Sequence, residues 1–402
     1  RLMIYQTLDD KKECIGVFAD GKLSFNNIPS ELTKTWKASS SIRRPKTEYA
    51  WIYTTGKDLD LACPEELQPE LKTLSKKFKA YLKAFSIANV PMEEVCFFDL
   101  VPERFLLDWC GIKNQISQHV FETYEKPKNH DHLASIHELL VDISNQKLNL
   151  NTEGCRGLFV SYRARPQVQT ILDTPPYLHY NLYGTVTGRL TTSSRGVGLM
   201  SMEKKLRKLL KPNNDWFVSL DYNGADVRTF LGLLGEEQPQ EDIHEWNSRH
   251  LFGGSLMGRK AIDREEAKVG FFTWLYSPKD TTFEKSVYNR KAVLDKFYID
   301  GIISNPFDRD IVVDEQRALS YLVQSTTNDL TLDRAVAISK ALEGRASYVS
   351  HLMHDEVVID FSDEDKDILP EIKSIFAATK LGNFLTNTTA GKNYLEMKDL
   401  NI

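Results

Sequence analysis

The chain has 402 residues, a net charge of −5, and 41% apolar and 27% charged side chains, the make-up of an ordinary globular protein with room for two or three cores. No apolar run approaches the ~20 residues that cross a bilayer, and no secretory signal opens the sequence, so a cytoplasmic, unsecreted protein is expected. The negative sign does not exclude nucleic acid, because binding depends on where the cations lie rather than on their sum.

Residues 2–7, 13–19 and 22–25 read as short strands separated by polar turns, and 49–53 as a fourth. Leu67, Leu71, Leu74, Phe78, Leu82 and Phe85 then recur at helical spacing with lysines between them. Three antiparallel strands followed by alternating strands and helices predict an α/β domain over 1–124. Residues 125–132 are polar and contain Pro127, which predicts a linker. Its histidines, His130 and His132, have no cysteine or paired carboxylate to complete a metal set. Residues 133–143 read as one helix. Cys14, Cys63, Cys96, Cys110 and Cys155 are scattered, odd in number and without a C-x-x-C pair. Reduced, mostly buried thiols are expected, with neither a zinc site nor a disulfide.

Between 187 and 211 the cations Arg189, Arg195, Lys204, Lys205, Arg207, Lys208 and Lys211 meet one acid, Glu203. A solvated helix face explains Lys204 to Lys211 as well as a phosphate-binding surface does. Arg189 instead sits in Thr-Gly-Arg-Leu-Thr-Thr-Ser-Ser, a small polar loop that lets backbone approach a ligand. Over 217–231 an apolar run ends on Asp221, and Val227, Phe230 and Leu231 with charged Asp226 and Arg228 open an amphipathic helix. A carboxylate at the end of a buried strand suits a metal ion for phosphoryl transfer, although an isolated Asp there more often caps or turns.

Over 263–277, Arg264, Lys268, Phe272 and Tyr276 fall every fourth residue and so share one helix face. Two cations followed by two aromatics could grip a polyphosphate and stack on a base; a surface helix with a half-buried aromatic end has the same pattern. Over 350–360, apolar residues flank His354-Asp355-Glu356, which predicts a hairpin with an acidic turn. Buried, that turn needs a cation; exposed, it does not. Asp221 and Asp355 are therefore candidates to clamp two metal ions ~4 Å apart.

These residues match a known family. Asp221-Tyr222-Asn223-Gly224-Ala225-Asp226-Val227-Arg228 resembles motif A of the DNA polymerase I (family A) DNA polymerases, Arg264/Lys268/Phe272/Tyr276 resembles motif B, and His354-Asp355-Glu356 resembles motif C. In the same order, Thr187-Gly188-Arg189-Leu190 is similar to the family's T-G-R-L. Asp242-Ile243-His244 with Phe252-Gly253 is similar to its D-I-H…F-G segment, Gln324 to its minor-groove glutamine, and Gly391-Lys392-Asn393-Tyr394 to its ending.

The resemblance implies an α/β and α+β multidomain right-hand polymerase. It has an antiparallel palm (185–235 and 318–402), helical fingers (236–317), a reduced thumb (125–184) and an inactive ribonuclease-H-like, exonuclease-like domain (1–124). It implies DNA-directed DNA synthesis from deoxynucleoside triphosphates on primer-template DNA, with two Mg2+ (or Mn2+) held by Asp221, Asp355 and the Tyr222 carbonyl. Arg264, Lys268, Phe272, Tyr276, His244 and Asp226 would contact the nucleotide. Arg189, Gln324, His354, Lys204, Lys205, Arg207 and Lys208 would contact DNA. A short thumb implies low processivity without a partner protein, and the compact plan is similar to phage-type enzymes.

Three departures stand out. Asp226 replaces the family's usual Glu, one methylene longer, that crowds a ribose 2′-hydroxyl. Thr273 and Ser277 replace two motif B glycines. The stretch 7–13 contains no exonuclease D-x-E. The alternatives are a single-subunit RNA polymerase of the same palm, against which Glu356 and the acidic Asp226 argue, and an inactive polymerase-like DNA-binding protein.

Overall fold

The computed structural model of the chain describes residues 3–9, 11, 14–25, 27–92, 94–151, 153–155, 165–252, 262–280 and 286–400. The chain divides into two compact units, 1–146 and 147–402, of mixed α/β content. No helix among the described residues is long and apolar enough to cross a membrane.

In the first unit β1 (Met3–Thr7), β2 (Val17–Ala19) and β3 (Lys22–Ser24) form an antiparallel meander. It turns at Asp20 and Gly21, both at positive φ. β4 (Leu32–Thr35) and β5 (Glu48–Tyr49) add in parallel, giving the order β3-β2-β1-β4-β5. Parallel neighbours need a crossover of roughly a dozen residues, and 36–47 supplies it.

The strand expected over 49–53 is a helix from Ala50 onward: only Glu48–Tyr49 pairs, and α1 (Ala50–Tyr53) is buried throughout. A continuous apolar run has no period that separates a buried helical turn from a buried strand. After α2 (Leu59–Ala62), α3 (Gln68–Ile87) packs on α4 (Glu103–Thr123) through aromatic rings, Phe78 stacking on Trp109 at 5.0 Å and Tyr81 meeting Phe105 edge-on at 5.0 Å.

α5 (His130–Ser144) starts inside the stretch expected to be a linker. His130 is only 1% exposed and its Nε2 accepts the Tyr49 N–H at 3.3 Å, while Nε2 of His137 accepts the Ala38 N–H at 3.1 Å. The two imidazoles thus tie α5 to β5 and to the crossover between β4 and β5. A disulfide joins Cys14 to Cys96, against the expectation of reduced thiols, and Cys63, Cys110 and Cys155 are free. The partners lie 82 positions apart and meet at a Cα separation of 5.4 Å; spacing in sequence cannot reveal a pair that only the fold brings together.

In the second unit β6 (Asn149–Leu150) pairs with β9 (Leu210–Lys211), α6 (Arg165–Asp173) follows β6, and β7 (Tyr180–Asn181) pairs with β8 (Thr191–Thr192) around the loop that carries Gly188 and Arg189. Lys204–Leu209 forms a 3-10 turn. β10 (Trp216–Tyr222) is the middle strand of an antiparallel sheet ordered β14-β15-β10-β18-β19, with β14 (Tyr348–Met353), β15 (Glu356–Phe361), β18 (Thr386–Gly391) and β19 (Lys398–Asp399). Residues 217–220 are all buried, as a strand paired on both edges and covered by helices requires.

α7 (Ala225–Leu234), α8 (Ile243–Asn247), α9 (Arg264–Tyr276), α10 (Arg290–Phe297) and the long α11 (Glu315–Ala341) follow in order. A small sheet of β11 (Tyr298–Ile299), β12 (Ile302–Ser304) and β13 (Asp310–Val312) lies between the last two in sequence. Val227 and Phe230 of α7, Phe271 and Trp274 of α9, and Leu322 and Val323 of α11 share one core. α12 (Leu369–Ala377) and the hairpin of β16 (Ala378–Thr379) and β17 (Gly382–Asn383) complete the unit.

Candidate active site

Asp221 lies one residue from the end of β10, in register with Glu356 on β15 and Asn387 on β18. The β14–β15 turn is His354-Asp355, with His354 at φ 55. The sheet therefore brings together two acids 134 positions apart in sequence (355 − 221), and both line one cavity of about 380 Å³. The Asp221 carboxyl is pushed up to about 7, first by burial and then by the nearby Asp355 and Glu356 charges, with Asn387 opposing. Glu356 does not line the cavity. Its carboxylate accepts hydrogen bonds from Ser219 Oγ and, at 2.8 Å, from Tyr394 Oη.

α9 supplies basic and aromatic groups to the same cavity through Arg264, Lys268 and Phe272. It starts at a capping box in which the Asp263 side chain accepts the Glu266 N–H at 2.9 Å and Glu266 accepts the Asp263 N–H at 3.2 Å. With Thr273 and Ser277 in place of glycines it runs unbroken to Tyr276.

The hub that orients Arg264 is Asp242. Its Oδ2 accepts from Arg264 at 2.8 Å and from Asn223 Nδ2 at 2.9 Å, and its Oδ1 caps α8 through the His244 and Glu245 N–H groups, each at 3.0 Å. Burial alone would raise the Asp242 carboxyl, but these bonds, Arg264 foremost, hold it well below the usual carboxylate range. Asn223 is itself fixed: its Oδ1 accepts the Ile243 N–H at 2.9 Å.

Beneath this hub Arg228 is fully buried, not on the polar face of α7 as the amphipathic pattern suggests. Its guanidinium donates to the carbonyls of Asn223 (2.6 Å), Pro239 (2.7 Å) and Glu241 (2.8 Å), so its position is set by the chain it clamps. Gly224, at φ 69, permits the close approach of α8: a Cβ there would meet Ile243 Cγ2 at 2.3 Å.

His244 is buried at the cavity wall and its Nδ1 has no hydrogen-bond partner among the described residues. Burial, with Arg264 and Lys268 nearby and Asp242 opposing, lowers its pKa to about 4, so the ring is neutral at pH 7. Arg189 reaches the cavity from the 185–190 loop, which is pinned at Gly188. The Gly188 carbonyl accepts from Asn328 Nδ2 at 2.9 Å, and a Cβ on this residue, at φ 79, would lie 2.5 Å from the Arg309 guanidinium carbon. Arg309 is held by a bidentate pair with Asp329, at 2.8 and 2.7 Å. Asp226 lines the cavity and accepts from Thr327 Oγ1 at 3.0 Å, and Thr327 is bonded in turn to Thr229 at 2.8 Å. Burial raises the Asp226 carboxyl, with Arg189 and Thr327 opposing.

His354 lines the cavity, but several other predicted site residues do not. Tyr276 is 50% exposed, its ring stacks with Phe272, and its hydroxyl accepts from Gln324 Nε2 at 2.9 Å. Lys205 pairs with Glu203 (3.0 Å), Lys208 with Glu396 (2.6 Å), and Arg207 lies over the Tyr394 ring; Lys204 is exposed. Of the D-I-H…F-G resemblance, Gly253 lies outside the described residues, as do Asp10, Lys12 and Glu13 of the 7–13 stretch. Sequence reading missed Thr327, Asn328 and Asn387 as cavity residues. Only their positions, three and four after Gln324 on α11 and opposite Asp221 on β18, could have signalled them.

Among the described residues no cluster of three or more His, Cys, Asp or Glu groups is arranged to hold a metal ion. Of the expected ligands Asp221, Tyr222 and Asp355 all line the cavity, with the oxygen-bearing side chains of Asp226 and Asn387 among the other lining residues. Burial first, and then the neighbouring Asp355 and Glu356 charges, push the Asp221 carboxyl up to about 7, so a cation bound there would favour its ionised form. Such a sparse oxygen set fits Mg2+, which keeps waters and takes substrate phosphates as further ligands.

No family model matches the chain, and no curated protein matches it. Among solved structures its fold is similar to the POL domain of Pol1 from M. smegmatis, in complex with DNA primer-template and dNTP. The similarity has a TM-score of 0.53 at 11% identity and covers 72% of this chain and 76% of that one.

Proposed function

We propose that the chain is a template-directed DNA polymerase that adds deoxynucleotides to a primer 3′ end and releases pyrophosphate. The observation that carries this is a single cavity bearing the carboxylates of Asp221 and Asp355, the cations Arg264 and Lys268, and the ring of Phe272. Mg2+ held by Asp221, Asp355 and the Tyr222 carbonyl would, when bound, neutralise charge on the attacking and leaving oxygens.

The chain's own residues do the rest. Arg264, fixed by Asp242, and Lys268 hold the triphosphate, and Lys268 gives a proton to the departing pyrophosphate. Neutral His244 offers a ring nitrogen to a phosphate oxygen without adding charge. Phe272 and Tyr276 wall the nascent base pair. Arg189 and Gln324 donate to minor-groove acceptors that all correct pairs present alike, which tests geometry without reading sequence. In this reading 185–235 and 318–402 act as palm and 236–317 as fingers, while of the stretch 125–184 expected to be a reduced thumb only the part from 147 onward belongs to the same unit.

Two observations support the finer points. Asp226 is tied to Thr327, which holds an acidic group in the cavity and favours a deoxyribose over a ribose beside it. In the first unit, the meander-then-parallel sheet order supports a ribonuclease-H-like domain. Its strand-end acid Asp9 is occupied structurally, accepting from the N–H groups of Phe97 (2.7 Å) and Lys11 (3.1 Å) and pairing with Lys11 Nζ, which supports the absence of a nuclease site there.

Primer extension with deoxynucleotides and, separately, ribonucleotides tests the proposal. Extension with dNTPs that disappears in Asp355→Ala, while primer-template binding persists, is the expected result. Equal or better use of ribonucleotides would favour the single-subunit RNA polymerase, and an active Asp355→Ala protein would refute the site.

A further inference from the structure

We infer that the outward face of α3 in the first unit is a nucleic-acid backbone-binding surface that acts independently of the cavity. Leu71, Leu74, Phe78, Tyr81 and Phe85 form the inner face of this helix, buried or half-buried. Lys72, Lys76, Lys79 and Lys83 are all exposed. Their spacing of four, three and four residues stacks them on one face, and at about 100° per residue that face lies roughly opposite the inner one. Lys77 flanks it.

A solvated helix face normally mixes both signs, with acids placed three or four residues from lysines. Here no Asp or Glu occurs between Glu70 and Glu93, in a chain whose net charge is −5. Each lysine of the stripe has a like charge three or four residues away, a repulsion that a bound polyanion would relieve. The stripe runs about 16 Å along the axis at a rise of about 1.5 Å per residue, a length over which one strand of duplex DNA carries about five phosphates.

A membrane surface fits less well, because a helix that lies on lipid needs a large apolar face beside its lysines. The apolar side of α3 is taken up by α4 through the Phe78–Trp109 and Tyr81–Phe105 contacts. Of its large aliphatic side chains only Leu82 and Ile87 are exposed. Charge alone, evenly spaced, suits a phosphate backbone without sequence preference.

The test is a full-length variant with Lys72→Gln, Lys76→Gln, Lys79→Gln and Lys83→Gln, compared with wild type for binding of labelled random-sequence duplex and single-stranded DNA from 50 to 300 mM KCl. All four side chains are exposed, so an unchanged unfolding midpoint is expected and should be checked. If the stripe contacts four phosphates, the slope of log K against log salt should become shallower by about 3.6 for duplex and about 2.8 for single strands. An Asp355→Ala protein should keep the wild-type slope. An unchanged slope in the quadruple variant overturns the inference, as does wild-type binding to phosphatidylserine vesicles as tight as to DNA at equal salt. Because the readout is binding alone, a wild type that extends no primer but loses slope with its lysines would sink the polymerase proposal and leave this one standing.

Discussion

Replacing Asp221 with Asn should stabilise the metal-free protein while abolishing its chemistry. In the folded chain the Asp221 carboxyl titrates at about 7, against about 3.9 for an unfolded Asp. A folded-state pKa raised in this way means that the ionised form is disfavoured by folding. The associated stability is fully present below about pH 3.9 and is lost progressively as pH rises through 7. Three units correspond to about 4 kcal/mol at pH 8, an upper bound because the side chain keeps some contact with water. Asn retains the shape and carries no charge, so its advantage over wild type should be about 1–2 kcal/mol at pH 5 and about 2–4 kcal/mol at pH 8. Urea unfolding in EDTA, followed by hydrogen exchange of the β10 and β15 amides, measures this across the pH range. Millimolar Mg2+ should narrow the gap, since a ligand that binds only the folded wild-type site stabilises it by mass action. A variant no more stable than wild type at pH 8, or an advantage that does not grow with pH, would refute the account of Asp221 as a buried carboxylate awaiting a cation.

Further outcomes follow from the same geometry. Arg228→Met should destabilise the second unit by about 3–5 kcal/mol by leaving three carbonyls without their donor, and should raise KM for nucleotide through the freed Asp242 loop; denaturant unfolding and single-nucleotide kinetics separate the two effects. Acid should weaken the first unit. Burial lowers the His137 pKa to about 3, so its contribution is present above the unfolded value of about 6.5 and falls by about 1.4 kcal/mol per pH unit below it. His137→Gln should flatten that dependence, and a wild type equally stable at pH 5 and 7 would count against it. Finally, a labelled primer with a mismatched 3′ end should survive incubation with Mg2+ and no nucleotides; its digestion would mean that a nuclease site exists after all.

What the sequence made legible follows from where the signal is local. Asp221 and Asp355 stand out because each interrupts or ends an apolar strand, and α9 because its cap and four-residue repeat lie within one helix. The burial of Arg228 is not legible, because periodicity cannot show that the carbonyls of Asn223, Pro239 and Glu241, on either side of α7, hold a charged side chain inside. The N-terminal half of the ladder was partly visible, but α1 was hidden in an apolar run, and α5 began inside a polar segment because His130 finds its partner on β5. The Cys14–Cys96 bridge and the Thr327–Asp226 bond join positions that no window of sequence contains.

The placement of β10 in the middle of its sheet also sets when this molecule can first work. Asp221 is flanked by Glu356 on β15 and by Asn387 on β18, both far along the chain from it. Contacts of such long range form slowly and only after both partners exist. The two carboxylates therefore meet only once β15, which follows α11 in the chain, has been made and has paired with β10. A chain truncated before β18 would keep every motif up to His354-Asp355-Glu356, yet one edge of the strand that presents Asp221 would be unpaired. β18 and β19, which bear none of the proposed reacting groups, complete the pairing that holds Asp221 in place.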